Sequence, residues 1–196
     1  MIVLFGLFLL TLLASSVMVL QAGRWVAAET LGTGLTHIFV AITVFTLANT
    51  LALGLASFGG LRLPVGLVEA VIAAAIILVA LGNINPKYYI QTWKIALVIG
   101  LVHGLGFAEV LAPLGTDASR KAIGLASFNI GLEIGQLTIL LVVFPLLFLL
   151  RNRPIYRRVI LQAGSIACIA VALFWFTERS FGVFGPAQDS VAAVSG

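Results

Sequence analysis

Three polar side chains on one predicted helix face are the residues best suited to chemistry in this sequence. Asn129, Glu133 and Gln136 interrupt a long apolar run, and positions i, i+4 and i+7 lie on the same side of a helix. A carboxyl group at membrane depth costs on the order of 3 kcal/mol, so it normally faces a bundle interior or a water-filled cavity. The stripe predicts an ion or substrate site. The alternative is a protonated or paired Glu133 that holds helices together.

A histidine on the preceding predicted helix adds a possible metal ligand. His103 lies deep in an apolar, glycine-rich stretch. Neutral imidazole is a good ligand for borderline divalent metals such as nickel, cobalt and zinc, and the glycines would let a neighbouring helix or a permeating ion approach closely. Together with Glu133 and Asn129, His103 favours a metal-binding site. The alternative is a histidine that is hydrogen-bonded across helices.

Three further polar residues have two possible roles each. Glu69 lies near the start of a predicted helix, where the helix dipole favours a carboxylate; at greater depth it would be a second acid for the site. Asn49 lies in the middle of a predicted helix and can hydrogen-bond across helices through its amide. Asn83 lies in a turn-prone Gly-Asn stretch, and turn chemistry explains it. We expect structural roles for the two asparagines.

The amino-acid composition indicates the fold class of the protein, and therefore the kind of secondary structure that positions these residues. The 196-residue chain is 61% hydrophobic and 9% charged, with a net charge of +4 and a mean hydropathy of +1.18. Soluble globular domains do not have this composition. We therefore predict an all-α transmembrane bundle, a single integral membrane domain over 1–196. The positive charge lies in a few loop clusters and indicates topology rather than nucleic-acid binding.

Six helices follow from the apolar runs. No lysine or arginine precedes the first run, so we interpret it as a retained helix rather than a signal peptide. The positive-inside rule favours an N-out, C-out orientation, with seven positive residues inside (Arg24, Lys87, Lys94, Arg151, Arg153, Arg157 and Arg158) and four outside (Arg62, Arg120, Lys121 and Arg179). The predicted helices span about 2–21, 35–58, 65–81, 94–111, 122–150 and 159–177.

The sequence contains no pattern typical of an enzyme. Gly-x-Ser-x-Gly, Walker, His-Glu-x-x-His and Cys-x-x-Cys motifs are all missing from it, and an intramembrane hydrolase would need a nucleophile with a base or a metal-activated water. We therefore predict that the protein is not an enzyme. Since there is no nucleotide site either, any transport would use a channel, an ion gradient or another subunit.

Four motifs in the same order resemble the HupE/UreJ family, small membrane proteins associated with hydrogenase and urease gene clusters and regarded as nickel or cobalt permeases. The resemblance covers about residues 40 to 150 and implies a helical bundle in the bacterial inner membrane that passes divalent metal. Carried over by position, the implied site residues are Glu69, His103, Asn129, Glu133 and Gln136. The motifs are FTLANTLAL at 45–53, VEA at 68–70, GLVHGLGFA at 100–108 and FNIGLEIGQ at 128–136.

The sequence departs from the family pattern at three places. The family's His-x-x-x-Gly-x-Asp-His motif is reduced to His37, with Ala41, Thr43 and Val44 at the positions of the other three residues. Asn49 stands where a histidine is expected, and 82–83 read Gly-Asn instead of Glu-Asn. Fewer histidine and acidic ligands predict weaker nickel selectivity.

Two functions from different classes remain. The first is a nickel or cobalt permease of the bacterial inner membrane, plasma or intracytoplasmic, which binds the ion transiently and holds no permanent cofactor. The second is a non-transporting structural or accessory subunit that keeps the family fold with a degraded metal site. The lipid bilayer is the expected partner in both, with other membrane subunits or further copies of the chain as possible additions and no nucleic acid.

Overall fold

The described part of the chain contains six α-helices and one small β-hairpin, which confirms the predicted all-α bundle. The computed structural model describes residues 2–61, 63–111 and 118–184, with side chains at 3–61, 63–107 and 118–180. A 3₁₀ turn, Pro86–Tyr88, precedes the fourth helix and a π-helical segment, Tyr156–Ala163, precedes the sixth. The helices are α1 (Ile2–Ser16), α2 (Leu31–Gly59), α3 (Val65–Ile84), α4 (Thr92–Leu111), α5 (Ala118–Leu150) and α6 (Gly164–Phe184), and the strands are β1 (Met18–Gln21) and β2 (Arg24–Ala27).

The hairpin corrects the predicted end of the first helix. Helix α1 ends at Ser16 rather than near residue 21, and β1 pairs antiparallel with β2. Ala22 and Gly23 join the strands with φ angles of 47° and 75°. Two consecutive left-handed residues form a tight hairpin turn whose twist matches that of the strands. Sequence analysis missed the turn because the apolar residues of β1 continue the apolar run of α1.

The helix pair α2 and α4 packs most closely, and glycine permits the close approach. A Cβ atom added to Gly100 would lie 2.6 Å from the backbone oxygen of Phe45, and one added to Gly104 would overlap the backbone oxygen of Asn49. Small residues in membrane helices allow such backbone-to-backbone packing. The Gly100-x-x-x-Gly104 pair therefore fixes the polar middle of α2 directly against α4.

Two long-range hydrogen bonds hold the hairpin region, the end of α3 and the connection after α5 together at one end of the bundle. Trp25 Nε1 donates to the backbone oxygen of Gly82 at 3.0 Å, and Arg151 Nε donates to that of Ala28 at 2.8 Å. These are the segments that the N-out, C-out prediction assigns to the inner side. The orientation itself stays a prediction, and Arg62, assigned to the outer side, lies outside the described residues.

The helices differ in how far they are suited to crossing a bilayer. Four segments are long and apolar enough, namely Leu31–Gly59, Val65–Ile84, Ala118–Leu150 and Tyr156–Ser180, whereas Val3–Ser16 and Thr92–Phe107 are shorter. Only 17% of the most apolar window is buried in each of the last two long segments, against 56% in Val65–Ile84. Helix α5 therefore lies at the periphery, and it continues without a break through Pro145.

Candidate functional site

The polar stripe of α5 faces a matching polar stripe on α2. Thr46 Oγ1 donates to Glu133 Oε2 at 2.8 Å. One turn away, Thr50 Oγ1 donates to Asn129 Oδ1 at 2.9 Å, and Asn49 Nδ2 donates to the same oxygen at 3.2 Å. We call these five residues, Thr46, Asn49, Thr50, Asn129 and Glu133, the α2–α5 seam.

Helical spacing explains why the seam forms. Thr46, Asn49 and Thr50 are related by i, i+3 and i+4 on α2, and Asn129 and Glu133 by i and i+4 on α5, so each set lies on one face. Sequence analysis missed Thr46 and Thr50. The i+4 spacing of these two threonines around Asn49, which repeats the spacing on α5, was the signal available.

The polar atoms of the seam that could bind a cation are mainly side-chain oxygen atoms. Asn49 is fully buried, and its Oδ1 has no hydrogen-bond partner among the described atoms. The other four side chains are half-buried, so the seam is partly accessible. Carboxylate, amide and hydroxyl oxygens can bind a divalent cation, although borderline metals bind more tightly where imidazole or thiolate takes part.

His103 lies in an aromatic enclosure instead of on the seam. Its ring centroid is 5.0 Å from that of Phe5, 5.8 Å from that of Phe45 and 4.7 Å from that of Phe107. The side chain is 2% exposed, and Nδ1 has no hydrogen-bond partner among the described atoms. No hydrogen bond within the described residues joins His103 to Glu133 or to another helix. Their joint metal binding stays a prediction.

Gln136, the third member of the predicted stripe, takes no part in the seam hydrogen bonds. Its side chain is 3% exposed, and Oε1 has no partner among the described atoms. It lines a cavity of only about 10 Å³ beside Phe5, Phe8 and Phe45. The amide thus lies among apolar side chains, most of them from α1 and α2, one turn along α5 from Glu133.

Glu69 is ion-paired with a residue of α6. Arg179 Nε lies 2.6 Å from Glu69 Oε2, and the arginine also stacks over Trp175 with its Cζ 5.2 Å from the ring centroid. Glu69 lies beyond the first turn of α3, so the helix dipole does not account for its burial. The ion pair fixes α6 against α3, at a place distinct from the α2–α5 seam.

The predicted turn at Asn83 is part of a helix. Helix α3 continues to Ile84, and Asn85 caps it. Asn83 Nδ2 donates to the backbone oxygen of Thr11 at 3.1 Å and to Ser165 Oγ at 3.3 Å. The amide therefore joins α3 to both α1 and α6, which turn chemistry did not predict.

The described side chains contain no cluster of three or more histidine, cysteine, aspartate or glutamate residues that could hold a metal ion. A family model described as HupE / UreJ protein matches residues 3–179. The chain belongs to the HupE/UreJ family. This is a family of multi-pass membrane proteins with accessory or permease roles in nickel and cobalt supply, and it is not an enzyme family.

Family membership extends further along this HupE/UreJ protein than the motifs at 40–150. The matched range includes α1, the hairpin and α6 up to Arg179. Searches of curated proteins and of solved structures return no match. The function of the protein is therefore inferred from its family and from the geometry of its polar side chains.

Proposed function

We propose that this HupE/UreJ protein is a permease that passes a divalent cation, nickel or cobalt, across the bacterial inner membrane. The observation that carries the proposal is the Glu133 carboxylate, held by Thr46 between α2 and α5 within an apolar helix. A carboxyl group in such a segment is costly and marks ion pathways in membrane proteins.

The ligand atoms of the seam are better suited to the transient binding of a cation during transport than to tight, permanent binding. Asn129, Asn49 and the two threonine hydroxyls supply neutral oxygen atoms beside one carboxylate. An ion must be bound well enough to enter a pathway and weakly enough to leave it. Because nickel and cobalt prefer nitrogen ligands, an all-oxygen site binds them weakly and discriminates little against harder divalent ions.

Three predicted site residues, Glu69, His103 and Gln136, are left out of this ion site. Glu69 is neutralised by Arg179 at 2.6 Å, so it offers little net charge to an entering cation. His103 is surrounded by phenylalanine rings that cannot replace the hydration shell of an ion. The proposal therefore assigns the cation to the seam.

The test is uptake of Ni²⁺ and Co²⁺ by cells expressing wild-type protein, Glu133→Gln or Thr138→Val at matched membrane levels. We expect uptake above the empty vector for wild type, its loss in Glu133→Gln and its retention in Thr138→Val. Thr138 is the control because it lies on α5 but donates only to its own helix, to the backbone oxygen of Ile134 at 2.7 Å. Wild-type uptake equal to the vector would refute the proposal.

A specific observation also supports the second candidate, a non-transporting accessory subunit. The α5 and α6 segments are the least buried of the four long ones, at 17% each, and large apolar residues such as Leu141 and Phe174 are exposed on them. Other membrane subunits could cover these faces. Stoichiometric co-purification with a larger complex after gentle solubilisation, without metal uptake, would favour this function.

A further inference from the structure

A cavity lies at the hairpin end of the bundle, between the hairpin, the end of α1 and the N-terminal parts of α2 and α4. Its volume is about 380 Å³, within the range of about 300–1,000 Å³ typical of small-molecule sites. The five residues of the seam are not part of its lining. The lining combines polar, aromatic and aliphatic side chains, so the cavity suits a molecule with both a polar and an apolar part.

The cavity lies at the level where the bundle leaves the hydrocarbon core of a membrane. Helix α3 has 20 residues, which gives it a length of about 30 Å, and the core has about the same thickness. The end of α3 therefore marks one boundary of the core. Trp25 lines the cavity and donates to the backbone oxygen of Gly82, and the Cα of Tyr89, a second lining residue, is 3.1 Å from the Cβ position of Gly82. Both contacts place the cavity at the headgroup level, where tryptophan and tyrosine are enriched.

Three polar side chains of the cavity can donate hydrogen bonds to a headgroup. Gln91 and Thr92 lie at the start of α4, and His37 lies on α2. Gln91 and His37 are exposed and Thr92 is half-buried, so all three are accessible. An amide, a hydroxyl and an imidazole N–H are donors, and phosphate oxygens are strong acceptors.

The segments that line the cavity carry positive but no negative side chains. Residues 12–27 and 82–94, which supply most of the lining, contain no aspartate or glutamate but include Arg24, Lys87 and Lys94. Lys94 Nζ is 5.6 Å from the ring centroid of Trp93, which is a lining residue. Basic pockets between membrane helices bind anionic headgroups. The charge beside the cavity therefore complements an anion.

Exposed apolar side chains of the same cavity face the surroundings of the bundle. Leu20 is 37% exposed, Val40 45% and Trp93 42%. A free phosphate ion would use the donors and leave these apolar groups without a partner. A hydrocarbon would cover the apolar groups and leave the donors unsatisfied, which costs free energy. A phospholipid, with a phosphate group and acyl chains, satisfies both.

We propose that this cavity binds the headgroup of an anionic phospholipid. The phosphate accepts hydrogen bonds from Gln91 and Thr92 and lies near the ammonium group of Lys94, and the acyl chains extend along Val40 into the bilayer. The bound lipid would join the hairpin to α2 and α4. This site is additional to the proposed ion pathway and does not depend on it.

The test is lipid binding by the purified full chain, with bound lipids counted by native mass spectrometry. The probes are phosphatidylglycerol and phosphatidylcholine with identical acyl chains. We expect the first phosphatidylglycerol to bind at least about fivefold more tightly than the first phosphatidylcholine, as one lysine near the headgroup predicts. Inorganic phosphate at matched ionic strength should not displace the lipid. Equal affinity for the two lipids, or displacement by phosphate, would overturn the proposal.

Two matched pairs of variants separate the cavity from general attraction of lipid to a basic surface. Lys94→Gln should weaken binding of the first phosphatidylglycerol about fivefold, whereas Arg153→Gln, which removes an exposed charge at the same end outside the lining, should not. Gln91→Leu should weaken it by a similar factor, whereas Gln21→Leu, at an exposed glutamine of β1 outside the lining, should not. Equal effects within either pair would contradict the proposal. The measurement contains no metal, so this proposal and the proposed function can fail separately.

Discussion

Thr46 Oγ1 and Glu133 Oε2 are 2.8 Å apart and join the middle of α2 to the middle of α5. The carboxylate thus has one side occupied by a neutral donor rather than by a cation. An interhelical hydrogen bond of this kind contributes about 0.6 kcal/mol on average in a membrane protein. The contact orients the carboxylate more than it stabilises the bundle.

Replacing Thr46 with valine should therefore alter function more than stability. Thr46→Val removes the donor with little change of shape, and we expect a loss of about 0.5–1.5 kcal/mol in the free energy of unfolding together with reduced Ni²⁺ uptake. Denaturant titration and uptake assays measure the two effects. Thr138→Val is the control, and normal uptake by Thr46→Val would contradict a role for this contact in ion binding.

The contact between α2 and α4 should be sensitive to a single methyl group. A Cβ atom at Gly104 would overlap the backbone oxygen of Asn49, so Gly104→Ala should destabilise the protein by about 1–3 kcal/mol through overpacking. Thermal unfolding in detergent measures the effect. Gly54→Ala is the matched control because its Cβ position on α2 has no atom within 4 Å. Similar melting temperatures for the two variants would refute the close packing.

The ion pair between Glu69 and Arg179 should show strong coupling. Arg179→Gln removes the guanidinium at the Glu69 carboxylate, and the arginine side chain is 38% exposed against 6% for the glutamate. The expected loss is about 1–2 kcal/mol, below the 3–5 kcal/mol of a fully buried pair. In a double-mutant cycle, adding Glu69→Gln to Arg179→Gln should recover part of the loss. Additive losses would show that the two residues act independently.

The side-chain amide of Asn83 should contribute to the stability of the bundle, although the residue lies near the end of α3. Asn83→Leu removes hydrogen bonds to Thr11 O and Ser165 Oγ, and we expect a loss of about 1–2 kcal/mol in the free energy of unfolding. Asn152→Leu, at an exposed asparagine in the α5–α6 connection, is the control. Equal unfolding midpoints for the two variants would contradict the linking role of Asn83.

Local and periodic features of the fold could be predicted from the sequence. Long apolar runs predict helices in a membrane because every backbone polar group must be satisfied within the segment. The i, i+4 and i+7 spacing of Asn129, Glu133 and Gln136 predicts one stripe on α5, of which only Asn129 and Glu133 make the seam hydrogen bonds. The hairpin was not, because the turn at Ala22 and Gly23 depends on backbone conformation rather than hydropathy.

The sequence by itself determined that this protein is an α-helical membrane bundle of the HupE/UreJ pattern and that its polar side chains are few. Only the tertiary structure decided which of them meet, because the rotation and axial position of each helix depend on packing between distant segments. That packing pairs Thr46 with Glu133 and Glu69 with Arg179, and it encloses His103 in phenylalanine rings.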